Sequence, residues 1–434
     1  MEFHIEPGGR LTGQIRVPGD KSISHRALLL GAIAEGRTTV AGFLESEDCL
    51  ATLAAVRALG ARVEREGECW QIEGTGASSL TAPDASLDLG NSGTSMRLLV
   101  GVLAGQSFAS HVTGDASLYR RPMDRVIEPL TQMGAAIQSD EGCAPLTVHG
   151  QRPLTAIDYT PPVASAQIKS CVLLAGLFAD GRTTVREVGV SRDHTERMLS
   201  SFGVPVTRFE AGVSIIGGSP LYGTDVVVPT DLSSAAFFLV GAAIAPDSAL
   251  WLSEVGINPT RRGVLDCLAR MGAVIEYHNE RELAGEPVAD LHIRGGDLSA
   301  IDIGAVDVAL AIDELPALCI AAACARGTTQ ITGAAELRVK ESDRIAVVAG
   351  GLAALGVDVT IQSDGMTITG TDAADAFAGG RIATHGDHRI AMAFAMAALR
   401  ASAPIVIDDC APVATSFPGF ETLAAEAGLA IARQ

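Results

Sequence analysis

The stretch GDKSISHRALLLGAIA, Gly19–Ala34, places Lys21, Ser22, Ser24, His25 and Arg26 directly ahead of an apolar run with helical spacing. Hydroxyls at a helix entry, free backbone amides and the helix dipole, joined by an ammonium and a guanidinium, would bind a phosphate or carboxylate. Capping and packing are enough to account for Ser24 and His25. For Lys21, Ser22 and Arg26 an anion site is the expectation, with solvated surface cations as the alternative. LDLGNSGTSMRLLVGVLAG repeats the design: Gly90 and Gly93 allow close backbone approach, Thr94 can cap or donate to an oxyanion, and Arg97 follows. Any strand-to-helix turn can look like this. In LYRRPMDRVIEPL, Arg120, Arg121 and Arg125 surround a proline at a helix entry, where a surface charge run is the other reading.

Further along, ASAQIKSCVLLAGL has Ser165, Gln167 and Lys169 ahead of a buried helix, and SRDHTERML follows with Arg192. AIDELPALCIAAACA sets Asp313 and Glu314 at a helix start just before Pro316, a place where carboxylates also serve simply as caps. ELRVKESDRIAVVAGGL carries Lys340, Glu341 and Arg344, and HGDHRIAMAFAMAAL carries Asp387, His388 and Arg389. Salt-bridged surface helices would explain either one alone. Taken together, donor-rich turns before apolar helices give a cationic cleft containing a few carboxylates. That chemistry suits a reaction between two anionic small molecules with general acid–base help.

The formal net charge of −19 makes this local clustering informative. No basic face is available for nucleic acid or an anionic membrane, so an anionic substrate must be held by a local cluster against the global field. Only Lys21, Lys169 and Lys340 among the 32 basic residues are lysines. A position that kept lysine can need a compact ammonium that arginine does not imitate.

The elements that position these groups repeat. ALGARV, QMGAAI, SFGVPV, RMGAVI, ALGVDV and EAGLAI place Gly60, Gly134, Gly203, Gly272, Gly356 and Gly428 after apolar helical stretches, at intervals of roughly 70 residues. Each glycine reads as a left-handed residue just past a helix end. A strand ending in glycine follows each of the first five. The copy missing after Gly428 appears at the other end, as HIEPGGRLTG from His4 to Gly13. The N-terminal strand is therefore expected to complete the sixth unit. Residues 1–20 with 229–434 form one domain and 21–228 the other, with a hinge where the chain crosses near 18–21 and 228–231.

At 434 residues, 47% hydrophobic and 4% aromatic, the chain is expected to be an α/β or α+β protein of many small packed elements. The eight scattered cysteines read as buried reduced thiols. MEFHIEPGG carries acids where a signal peptide would need a basic region, and no uncharged run is long enough to span a bilayer, so a cytoplasmic protein is expected.

The motifs GDKSISHR, LGNSGTSMR, RRPM, ASAQIKS, SRDHTERM, IDELPAL, ELRVKESDR, GDHRIAMA and TSFPGF, in that order, closely resemble the 5-enolpyruvylshikimate-3-phosphate (EPSP) synthase family, nearly end to end. The resemblance implies a two-domain inside-out α/β barrel of six βαβαββ repeats, three per domain, with a two-stranded hinge. It implies transfer of the enolpyruvyl group of phosphoenolpyruvate to the 5-hydroxyl of shikimate 3-phosphate by addition and elimination, with no cofactor and no metal. By the same resemblance shikimate 3-phosphate is held by Lys21, Ser22, Arg26, Ser165, Gln167, Arg192, Asp313 and Lys340. Phosphoenolpyruvate lies among Lys21, Gly93, Arg121, Gln167, Arg344 and Arg389. Asp313 is the base for the 5-hydroxyl, and Glu341 and Lys21 are the candidates for proton traffic at the methylene carbon and leaving phosphate. A monomer acting on small molecules is expected.

Two departures bear on the inhibitor glyphosate. Thr415 stands where one subgroup of the family has a lysine, which removes or replaces one phosphoenolpyruvate contact. SAQ and DHTE resemble a second subgroup that includes glyphosate-tolerant members, but those carry alanine where this chain has Gly93, so glyphosate inhibition is expected. Three rival readings fit the residues less well. A transferase acting on UDP-N-acetylglucosamine would have asparagine after the first lysine and a reactive loop cysteine. An RNA 3′-phosphate cyclase would need a nucleotide site, and a non-catalytic anion-binding protein would have no use for Asp313 and Glu341.

Overall fold

The computed structural model describes residues 1–434, the side chain of Thr75 apart. The chain divides into two compact units, one of Met1–Pro18, Pro229–Arg281 and Pro287–Gln434, the other of Gly19–Val228 and Glu282–Glu286. The tip 282–286 belongs to the hairpin Val274–Leu283/Glu286–Arg294, whose arms are longer than those of the corresponding hairpins in the other repeats. The repeat pattern gives no sign of this excursion.

In the unit built on 19–228 the helices are α1 (Lys21–Ile33), α2 (Glu47–Ala58), α3 (Gly93–Ala104), α4 (Asp124–Gln132), α5 (Ala166–Gly176) and α6 (His194–Ser201). The other unit has α7 (Leu232–Ile244), α8 (Gly263–Met271), α9 (Ala305–Ala311), α10 (Leu315–Ala323), α11 (Arg344–Ala354), α12 (His388–Ala397) and α13 (Phe420–Ala427). Two helix types alternate. α1, α3 and α5 are buried along nearly their whole length, and α7, α10 and α12 at every residue. Beyond their first two turns their sequences are apolar on all sides, which only a central position satisfies. The partner helices α2, α4, α6, α8, α11 and α13 bury one stripe each. All six glycines of the repeated phrase follow these partner helices, at φ from +86° to +116°. An L-residue pays a steric cost there, so the repeat keeps glycine.

The repeats share one pairing plan, two parallel strands followed by two antiparallel steps, in four-stranded sheets except in the fifth repeat, where Leu298–Ser299 and Asp302–Ile303 both run parallel to Ala325–Ile331 and make five strands. In the second repeat Leu87–Asp88 runs parallel to Ala109–Thr113, which pairs antiparallel with Cys143–His149, itself antiparallel to Ala136–Asp140. The sixth sheet follows the same plan: Gly380–Ala383 parallel to Ile405–Asp408, then Phe3–Ile5, then Ile431–Arg433. The N-terminal strand thus occupies the third position of the last repeat. Thr12–Ile15 fills the parallel position beside Ala249–Gly256, and Asp225–Val227 fills it beside Glu35–Ala41. Phe3 and Ile5 face the core, a burial that contributes roughly 1.5–3 kcal/mol each. Each unit has its own hydrophobic core. This is the inside-out α/β arrangement, with apolar helices within and sheets outside.

The thiols of Cys49, Cys171, Cys267, Cys319, Cys324 and Cys410 are buried and unbridged, whereas Cys69 and Cys143 are only half-buried. Both lie where the second strand of a surface hairpin begins, so the expectation of eight buried thiols holds for six. Among the described residues no helix is long and apolar enough to cross a membrane.

Candidate functional site

In the unit built on 19–228, the entries of α1, α3 and α5 are tied to one another by side chains. The cap on α1 is a carboxylate rather than a hydroxyl: Asp20 accepts from the Ile23 amide at 2.9 Å. Ser22 and Ser24 lie inside the helix, and Ser24 Oγ accepts from the Leu44 amide. The helix mouth therefore already faces a negative charge, and anion binding there falls to the side chains. Lys21 Nζ lies 2.9 Å from Asp48 Oδ2, in the first turn of α2.

Arg26 is buried and binds inward. Nε donates to Thr195 Oγ1 and Nη2 to Ser170 Oγ, both at 2.6 Å, and Nη1 to the Ser22 carbonyl at 2.9 Å. Burial lowers its pKa to about 10, partly offset by the carboxylate of Glu196. His25 is fully buried, with Nδ1 2.8 Å from Thr52 Oγ1. Burial, then the Lys21 and Arg26 cations, push its imidazole well below the ordinary value. A neutral packed histidine matches the structural reading.

Ser165 caps α5. Gln167 Oε1 accepts from Arg97 Nη1 at 2.6 Å and its Nε2 donates to Thr94 Oγ1 at 2.9 Å. Thr94 thus receives a hydrogen bond, and the capping at α3 is done by Ser92. Arg121 Nη2 donates to Asn91 Oδ1 at 2.6 Å. A methyl group on Gly93 would sit 3.0 Å from Arg121 Nη1 and 3.2 Å from Arg97 Nη1. The backbone of Gly93, Gln167 and the guanidinium groups of Arg97 and Arg121 therefore lie together. Arg192 stands in the irregular segment just before α6. Lys169, by contrast, is a buried ion-paired group, 2.8 Å from Glu187 and 2.7 Å from Glu196.

The other unit gathers carboxylates around two arginines. Asp387 caps α12 and accepts from Arg344 Nε at 2.8 Å. Arg344 Nη2 reaches Glu341 at 2.6 Å and Nη1 reaches Asp313 at 3.4 Å. Burial lowers the pKa of this guanidinium, but the surrounding carboxylates of Asp387, Glu341 and Asp313 outweigh it and the net shift is upward. Arg389 Nη1 donates to the Asp313 carbonyl at 3.0 Å, and its Nη2 lies 3.7 Å from Asp313 Oδ2. Lys340 is partly exposed, 3.9 Å from Glu336, and desolvation lowers its pKa against the pull of Asp313. Glu314 turns inward instead, taking a hydrogen bond from Ser233 with Arg261 3.7 Å away, so the Asp313–Glu314 pair splits into an accessible and a buried member.

Asp313, Glu341, Arg344 and Arg389 are thus brought together, with Lys340 close by. Thr415 is buried, and its hydroxyl donates to the Pro412 carbonyl of its own turn at 2.7 Å. Sequence reasoning missed Asp48, Ser170 and Thr195. Acids at the start of α2 and the hydroxyl within SRDHTERM were visible, but nothing in the chain indicates which side chains they face. Among the described residues no cluster of His, Cys, Asp or Glu is arranged to hold a metal ion.

The family model for EPSP synthase (3-phosphoshikimate 1-carboxyvinyltransferase) matches residues 5–423. A 3-phosphoshikimate 1-carboxyvinyltransferase of Alkalilimnicola ehrlichii is 60% identical, covering 100% of this chain and 97% of the relative. One of Methylococcus capsulatus is 59% identical over 99% and 98% of the two chains. The solved EPSP synthase of Acinetobacter baumannii superposes with a TM-score of 0.89 at 52% identity, covering 100% of both chains.

Proposed function

The chain belongs to the EPSP synthase (3-phosphoshikimate 1-carboxyvinyltransferase) family, and from that premise we propose that it transfers the enolpyruvyl group of phosphoenolpyruvate to the 5-hydroxyl of shikimate 3-phosphate, releasing phosphate. Asp313 accepts the hydroxyl proton as the oxygen bonds to C2 of phosphoenolpyruvate and the methylene carbon gains a proton. Loss of phosphate and of a proton from the resulting methyl group then gives the enol ether. Glu341 and Lys21 handle the proton at carbon and at the leaving phosphate. Lys21, Ser22, Arg26, Ser165, Gln167 and Arg192, with Asp313 and Lys340, bind shikimate 3-phosphate. Lys21, Gly93, Arg121 and Gln167, with Arg344 and Arg389, bind phosphoenolpyruvate. Guanidinium forks meet the phosphate and carboxylate charges and orient the reacting carbon. The enzyme works in the cytoplasm as a monomer, its two domains hinged where the chain crosses near 18–21 and 228–231, and glyphosate inhibits it.

The observation that carries the reading is the placing of Asp313. Its carboxylate is accessible, lies between the guanidiniums of Arg344 and Arg389, and shares Arg344 with Glu341. A merely anion-binding protein gains nothing from carboxylates set among its cations. Phosphate release from shikimate 3-phosphate plus phosphoenolpyruvate tests it. Asp313→Ala should lower kcat on the order of 10²–10⁴-fold, the usual worth of a positioned base, with smaller changes in either KM. An unmodified chain that releases no phosphate from this pair refutes the proposal.

A further inference from the structure

Lys169 has no part in the proposed chemistry, yet it is one of three lysines in the chain and its side chain is 2% exposed. Its ammonium has three protons and faces three acceptors: Glu196 Oε1 at 2.7 Å, Glu187 Oε1 at 2.8 Å and the Ser191 carbonyl at 3.3 Å. Converging acceptors around a point suit a compact ammonium. A planar guanidinium fork cannot satisfy all three. That accounts for a lysine at a buried position in a chain that uses arginine almost everywhere else.

The acceptors lie on both sides of Arg192. Between the strand ending at Arg186 and the start of α6, the chain has no regular structure, and Val188 and Val190 are exposed. Ser191 is held there twice, its carbonyl by Lys169 and its hydroxyl donating to Glu187 at 2.8 Å. Asp193, on the other side, is gripped by Arg197 and Arg208, each at 2.9 Å. Glu196 is in the first turn of α6, directly after Thr195, and Thr195 holds Arg26 and Ser170. Lys169 itself lies one turn into α5, two residues beyond Gln167.

We propose that Lys169 is a positioning residue, whose ammonium fixes the 187–193 segment and the start of α6 onto α5 so that Arg192 is held at the place where it meets shikimate 3-phosphate. The inference rests on the assignment of Arg192 made above, and the experiment separates the two. Initial rates are measured for Arg192→Ala, Lys169→Met, Lys169→Arg and Glu187→Gln, varying each substrate at saturation of the other. Arg192→Ala should raise the KM for shikimate 3-phosphate selectively. Lys169→Met should do the same by roughly 10–100-fold, the range that loss of an orienting outer partner has at metal sites, with kcat and the KM for phosphoenolpyruvate much less changed. Lys169→Arg should fail to restore the parent value. Glu187→Gln alters a carboxylate 30% exposed and conserves volume, so it keeps the fold and should shift the same KM in the same direction by less. Added to Arg192→Ala, Lys169→Met should contribute nothing further.

Equal changes in both KM values, or an unchanged shikimate 3-phosphate KM in both Lys169→Met and Glu187→Gln, would reduce Lys169 to a stabilising ion pair and overturn the inference while leaving the assignment of Arg192 intact. An Arg192→Ala variant with unchanged shikimate 3-phosphate KM would remove the assignment and the inference together. If Lys169→Met does not fold, Glu187→Gln decides.

Discussion

Single side chains in this protein are placed by what sits across from them on another helix or loop, and that is where sequence reading reached its limit. Donor-rich turns were legible: Lys21, Arg26, Gln167, Asp313, Glu341 and Arg344 all stand at or near helix entries. Their partners were not: Thr195 and Ser170 meet Arg26 only when helices far apart in the chain pack together, and even Asp48, on the next helix, has no local mark that it faces Lys21. Two predictions belong at this scale. A methyl at Gly93 would press on Arg121 and Arg97, and with both molecules bound as proposed the longer glyphosate would be crowded more than compact phosphoenolpyruvate. Gly93→Ala should therefore raise the glyphosate inhibition constant more than the KM for phosphoenolpyruvate, and equal increases would refute the steric argument. His25 is neutral when folded, its pKa pushed well below 6.5 by burial first. As pH falls through that value, the unfolded chain takes up a proton that the folded chain does not, and stability drops by about 1.4 kcal/mol per pH unit. His25→Asn should flatten the pH dependence of urea stability below pH about 6.5. An unaltered slope would place the acid sensitivity in other groups.

Elements repeat more faithfully than residues. The glycine after each partner helix was readable because an apolar helical stretch, a glycine and an alternating strand form one local signal. The positive φ at all six shows that the signal reported a real backbone requirement. The irregular parts were not readable: the extra helix α9 before α10, and the long hairpin whose tip joins the other unit, depart from the repeat without any local mark. The N-terminal copy of the strand phrase was recovered only because the last repeat lacked one. Gly356 isolates the backbone term. Its φ is +86°, and an added Cβ meets nothing nearer than Ala378 Cβ at 3.7 Å. Gly356→Ala should therefore cost about 1–2 kcal/mol from conformation alone, read as a lower urea midpoint with an unchanged denaturant slope.

At the scale of the whole molecule, one unit is contiguous apart from the hairpin tip, and the other is assembled from segments on either side of it. Phe3–Ile5 is an inner strand of the sixth sheet, with Phe3 and Ile5 in the core and Phe3 packed 6.1 Å from the ring of Phe420. Removing residues 1–8 should cost amide protection in α7, α10 and α12 while α1, α3 and α5 keep theirs, as read by hydrogen exchange. Uniform loss in both units would show that the two cores unfold as one. The same strand also sets a timetable. It is made before residues 19–228 but pairs with Ile405–Ile407 and Ile431–Arg433, which are made after them. Its sheet therefore closes across a separation of some 400 residues, the kind of distant pairing that slows folding. Residues 19–228 have their own core and can collapse during synthesis, while this strand waits unpaired until its partner strands are made.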